Sequence, residues 1–148
     1  MKLRKSFLAI SVVAISFASL TLGVRALYGQ APAGFKRVEL QKHDISTAGH
    51  EAVQMRGEFN PGAATPKHTH PGEEVAYILE GEVTVEVEGK PAAVLKAGEV
   101  FFVPAGTVHM AKNNSKAPAK VLSTYIVEKG KPLATPVPAP AAAAAAKK

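Results

Sequence analysis

The chain has 148 residues, 20% of them charged, a formal net charge of +6 and no cysteine. That length suits one domain with a real core. The lack of cysteine excludes a disulfide framework, thiolate metal sites and a cysteine nucleophile. The excess positive charge sits at the ends: Lys2, Arg4, Lys5 and Arg25 at the start, Lys131, Lys147 and Lys148 at the finish, leaving 11 basic and 12 acidic residues between Gly34 and Gly130. A body so balanced has no electrostatic footprint for a phosphate backbone, so no nucleic-acid partner is expected.

Residues 1–31 read as an export segment. Lys2, Arg4 and Lys5 form a basic start, Phe7 to Val24 is uncharged and mostly apolar, and small residues follow, the layout of a secretory signal peptide. Val24-Arg25-Ala26 and Gly29-Gln30-Ala31 both offer cleavage positions, and Pro32 disfavours the second. The apolar run is also about the ~17–25 residues of a membrane-spanning helix, so an uncleaved anchor stays open as the one route to a membrane contact. Arg4-Lys5-Ser6-Phe7-Leu8 resembles a twin-arginine signal with lysine at the second position. The expected destination is the periplasm or the exterior.

From Phe35 the pattern is β. Val53, Met55, Gly57 and Phe59 alternate with polar neighbours, Val75, Tyr77 and Leu79 form a second apolar set, and Val83, Val85 and Val87 a third. Val100 to Val103 reads as a buried run, and Lys120 to Val127 alternates with bulky residues on both faces. Gly89-Lys90-Pro91 marks a turn, and Pro91 suits only an edge or a strand start. Glycines at 49, 57, 62, 72, 81, 89, 98 and 106 punctuate these segments. Short strands at that interval, with no sustained helical period, indicate an all-β antiparallel sandwich or barrel. The body is expected from 35 to 128. After Gly130 the alternating prolines and the alanines of 141–146 offer little to bury, so 131–148 is expected to be a disordered tail.

His68 and His70 stand two apart, which on a strand places both imidazoles on one face at roughly 6.6 Å between Cα atoms. Glu74 shares their parity, although Pro71-Gly72 interrupts the strand, and His109 follows a Pro-Ala-Gly turn. A lone His-x-His is often no more than surface polarity; the glutamate, the distant histidine and the spaced glycines together point to one metal site. Three imidazoles and a carboxylate without sulfur suit one divalent transition ion: Fe, Mn, Ni, Co, Cu or Zn. His43 and His50 lie in polar surroundings and are expected to be exposed. Tyr77 is expected in the core.

At these residues the sequence resembles the cupin superfamily. Gly62, His68, His70, Glu74 and Gly81 fit its first motif, and Gly98, Pro104, Gly106, His109 and Asn113 its second, with sixteen residues between the two. The resemblance implies a single-domain jelly-roll β-barrel with His68, His70, Glu74 and His109 as metal ligands. It implies Gly81, Gly98 and Gly106 at turns, and a homodimer.

If Glu74 faces the interior, parity turns Ala76 and Ile78 inward with it and sets Ala111 beside His109. A pocket so lined suits a small, largely apolar ligand with one or two oxygen donors. No arginine lies inside the motifs, since Arg37 and Arg56 precede them, so acid substrates are not favoured. The leading function is a metal-dependent oxidoreductase, quercetinase-like or another small-molecule dioxygenase. Its resemblance to dioxygenase cupins gives Glu74 a catalytic part, shifting between ligand and proton acceptor. A non-redox isomerase or lyase, and a non-catalytic module that binds metal or ligand, remain open because a fold does not choose its chemistry.

Overall fold

Alternating apolar residues become paired strand here wherever two sheets can share a core. The computed structural model describes residues 33–138; the expected export segment 1–31 and the tail beyond 138 lie outside the described residues. Every helix or strand described is a strand: β1 Phe35–Asp44, β2 His50–Phe59, β3 His68–Thr69, β4 Gly72–Glu80, β5 Glu82–Val87, β6 Ala93–Lys96, β7 Val100–Val103, β8 His109–Lys112, β9 Ala119–Glu128 and β10 Thr135–Pro136. One sheet runs β1-β2-β9-β4-β7 and the other β10-β3-β8-β5-β6, with every pairing antiparallel. This is the all-β jelly-roll barrel expected of the sequence.

The core lies between the sheets. Phe59, Ala76, Ile78, Val83, Val85, Ala111 and Val121 form one cluster, and Val53, Tyr125 and Val127 another against which Met55 and Leu133 pack. Ile78 and Val83 are fully buried, and each such side chain contributes roughly 1.5–3 kcal/mol by leaving water. Strand β9 is central, between β2 and β4, and turns Val121, Ser123, Tyr125 and Val127 inward. Pro91 precedes the edge strand β6, where a missing N–H costs no ladder bond.

Strand β4 depends on Gly72. A Cβ built there would lie 1.9 Å from the carbonyl oxygen of Ile126 on β9, so only glycine admits this approach. The interruption at Pro71-Gly72 therefore leaves parity intact: Glu74, Ala76 and Ile78 point inward and Glu73 outward. The apolar set Val75, Tyr77 and Leu79 takes the outer face, so Tyr77 is 44% exposed and not a core residue. Val100 to Val103 departs from expectation for the same reason. As the edge strand β7 it alternates, burying Val103 while Val100 and Phe102 stay exposed.

The chain beyond Gly130 also differs from the expected tail. Its first part, 131–138, returns to the barrel. Thr135 and Pro136 pair with Thr69 and His68, and Val137 donates its N–H to the Lys67 carbonyl at 2.8 Å. Proline-rich sequence hid this because the segment borrows backbone partners from β3 and needs little apolar surface of its own.

Candidate metal centre

His68 on β3 and His109 on β8 are direct register partners, which brings together side chains far apart in sequence. His70 follows β3 with the same parity. Glu74 enters from the opposite sheet, on β4. All four side chains are buried. Ligand atoms of His68, His70 and His109 lie within 4.8 Å of one another, close enough for one ion. Glu74 Oε2 is 3.4 Å from His70 Nε2 and 3.1 Å from His109 Nε2.

The tautomers follow from what surrounds the rings. His68 Nδ1 meets the Pro66 carbonyl at 2.8 Å, His109 Nδ1 the Thr107 carbonyl at 3.0 Å, and His70 Nδ1 the Leu133 carbonyl. A carbonyl only accepts, so each Nδ1 carries a proton, and in the neutral form of each ring the lone pair is on Nε2, turned inward. The Nε2 atoms of His70 and His109 are buried and, among the described residues, have no hydrogen-bond partner despite their closeness to Glu74. Lone pairs facing a carboxylate repel unless a cation lies among them. The donor set thus fits a divalent transition ion, which imidazole nitrogen binds at about 2.0–2.1 Å.

Charge states agree with that fit. Burial, and after it the neighbouring His109, pushes His68 down to about 4, so it is neutral at physiological pH. Burial works to raise Glu74, but a proton or cation on the His109 and His70 side, followed by the Ser123 hydroxyl, outweighs it and holds the carboxyl well below the ordinary range. Tyr125 lies with its ring 4.6 Å from that of His70. Burial and then the Glu74 charge push its hydroxyl above the usual phenol range, so it stays protonated.

A cavity of about 40 Å³ adjoins His68, Glu74 and His109. Ala111 lines it as expected, whereas Ala76 and Ile78 are buried in the core beside it; its other walls include Phe35, Phe59, Phe101 and Tyr125. Arg37 lines it too, which corrects the expectation drawn from its place outside the motifs. Strand β1 carries Phe35 and Arg37 on one face and sets both at the cavity, with the guanidinium 5.8 Å from the Phe35 ring centre. Among the described residues Arg37 has no ion-pair partner, whereas Arg56 is paired with Glu58 at 2.7 Å.

His43 is exposed, and His50 is half-buried with Nδ1 3.1 Å from the Ala48 carbonyl; neither joins the cluster. Gly81, Gly98 and Gly106 have φ of 71°, 94° and 71°, as turn glycines should. Asn113 is fully buried and bonds the Phe59 and Ala117 carbonyls and Ser115, closing the turn after β8. Sequence reasoning missed Tyr125, Ser123 and Leu133. The parity of β9 pointed to the first two, while nothing local pointed to Leu133.

Residues 55–125 match the Cupin domain family. They are a cupin domain. The cupin is 45% identical over 75 residues to germin-like protein subfamily 2 member 2 of Arabidopsis thaliana, a match covering 47% of this chain and 34% of that protein. It is 39% identical over 75 residues to nectarin-1 of Nicotiana plumbaginifolia, covering 47% and 33% of the two chains. The matched stretch is about a third of the length of these relatives. Among solved structures it is similar to a recombinant oxalate oxidase in complex with glycolate, with a TM-score of 0.55 and 28% identity over 65% of this chain and 52% of the other.

Proposed function

We propose that this cupin is a metal-dependent oxidoreductase that acts on a small carboxylate, with dioxygen as oxidant. The observation that carries the reading is the shared cavity. It joins convergent metal donors to Arg37, which has no ion-pair partner among the described residues, so a ligand is offered a cation on one side and a guanidinium fork on the other. At about 40 Å³ the cavity is small, which favours a small carboxylate over a flavonol. The likeness to an oxalate oxidase holding glycolate supports the same class.

In this reading His68, His70, Glu74 and His109 hold one divalent transition ion, which when bound would supply Lewis acidity and redox chemistry. Arg37 binds and orients the carboxylate. Phe35, Phe59 and Phe101 limit water around it. Glu74, its carboxyl held below the ordinary range and so ionised, serves as the anionic donor.

The chain is exported on the reading of residues 1–31, and it works as a homodimer. Val75 and Tyr77 on β4 lie opposite Phe102 and Val100 on β7, and their outward side chains form an exposed apolar face that a second copy would cover.

The test is dioxygen uptake by metal-loaded protein offered glycolate, oxalate and lactate, beside neutral diols of the same size. Carboxylate-dependent uptake is expected. Conversion of a carboxylate without uptake would favour the isomerase or lyase reading, and no turnover of any candidate would favour a non-catalytic module.

A further inference from the structure

His68 and His109 each anchor Nδ1 on the carbonyl two residues earlier, so their orientation is settled locally, by the chain that leads into their own strands. His70 differs. Its Nδ1 reaches the carbonyl of Leu133, 63 residues later and outside the stretch that matches the cupin family. The surrounding segment is fastened at both ends. Lys131 Nζ lies 2.6 Å from Glu128 Oε2, the Leu133 side chain packs on the cluster of Val53, Tyr125 and Val127, and Val137 bonds the Lys67 carbonyl beside β3. The ring of His70 also rests on Tyr125, itself part of that cluster.

We propose that residues 131–138 are a positioning strap for one ligand. The strap holds the proton of His70 on Nδ1 and so turns the Nε2 lone pair toward the metal position. Without it, His68 and His109 remain set by local carbonyls, while His70 is free to change tautomer or rotate away from the other two. Outer partners of metal-bound histidines are worth roughly 10–100-fold in metal affinity, and here that partner is a late backbone carbonyl. The affinity part of the proposal rests on the metal reading above; the tautomer part does not.

The experiment uses the full chain as wild type, as Leu133→Asp/Val137→Pro, which unseats the side chain and removes the N–H bond to Lys67, and as Leu133→Met, which keeps the apolar anchor. Nitrogen-15 histidine spectra of the metal-free proteins report each tautomer and the exchange of each Nδ1 proton. Titration with Co(II) reports affinity. The double variant should lose the protected Nδ1 proton of His70 alone, with His68 and His109 unchanged, and should bind Co(II) roughly 10–100-fold more weakly. Leu133→Met should match wild type in both. A native His70 signal in the double variant, or loss of all three histidine signals together, would overturn the proposal. If wild type binds no Co(II), the metal reading fails, and the spectra alone still decide the strap.

Discussion

His68 and His109 sit opposite each other on β3 and β8 with ring centres 4.3 Å apart. That single pairing turns two separate motifs into one site. Sheet register does the work: His109 lies beside Val87 on its other flank, so a slip of one residue in β8 would send His109 outward and Met110 inward. The Gly106 turn before β8 and the turn closed by Asn113 after it act on the site through that register.

The first prediction concerns the closest approach between strands. Gly72→Ala would press a methyl group against the Ile126 carbonyl, a backbone atom that cannot rotate away. A destabilisation of about 3 kcal/mol or more is expected, in the range of strained backbone sites. Urea unfolding checks it; a midpoint within error of wild type would show that β4 does not need this contact.

The second concerns acid. His68 has a folded value of about 4 against an ordinary 6.5. Between those values the unfolded chain binds more protons than the folded one, so stability is full above about 6.5 and is lost as pH falls toward 4. Glu74, whose value is lowered from 4.5, contributes stability above that value that is lost below it, in the same direction. Metal-free protein should therefore lose on the order of 2–3 kcal/mol between pH 7 and pH 4.5, read by urea midpoints at each pH. A flat profile would mean that His68 is solvated.

The third concerns the ligand. Arg37→Met should leave metal content unchanged and raise the KM for small carboxylates roughly 10–100-fold, the equivalent of about 1.5–3 kcal/mol for hydrogen bonds to a charged group. Arg37→Lys should recover only part of this, because an ammonium cannot reproduce the planar fork. Steady-state kinetics with a carboxylate and a neutral diol separate the effects. An equal loss on both would remove the carboxylate class.

The fourth concerns the outer face of β4 and β7. Phe102→Glu puts a charge in the centre of the exposed apolar face formed with Val75, Tyr77 and Val100. Light scattering should show a dimer for wild type and a monomer for the variant. A wild-type monomer would remove the proposed self-association.

Much of this was legible in the chain because local rules and distant geometry agreed. His68, His70, Glu74 and His109 carry a spacing that strand parity makes meaningful, and the turn glycines adopt the positive φ their positions demanded. Where apolar pattern and parity disagreed, parity governed: Tyr77, Val100 and Phe102 read as buried yet face outward, because Glu74 and Ala76 fix which side of β4 is interior. Arg37 and Leu133 were illegible for another reason. Each reaches the site through a pairing outside the motifs, β1 on β2 and β10 on β3, and nothing near either residue announces that register.

The central claim is that four buried side chains hold one ion. Metal analysis of wild type and His109→Ala, both loaded with a divalent transition metal and desalted, tests it most directly. The expected result is one ion per chain in wild type and almost none in the variant. Stoichiometric metal in His109→Ala, or none in wild type, would contradict it.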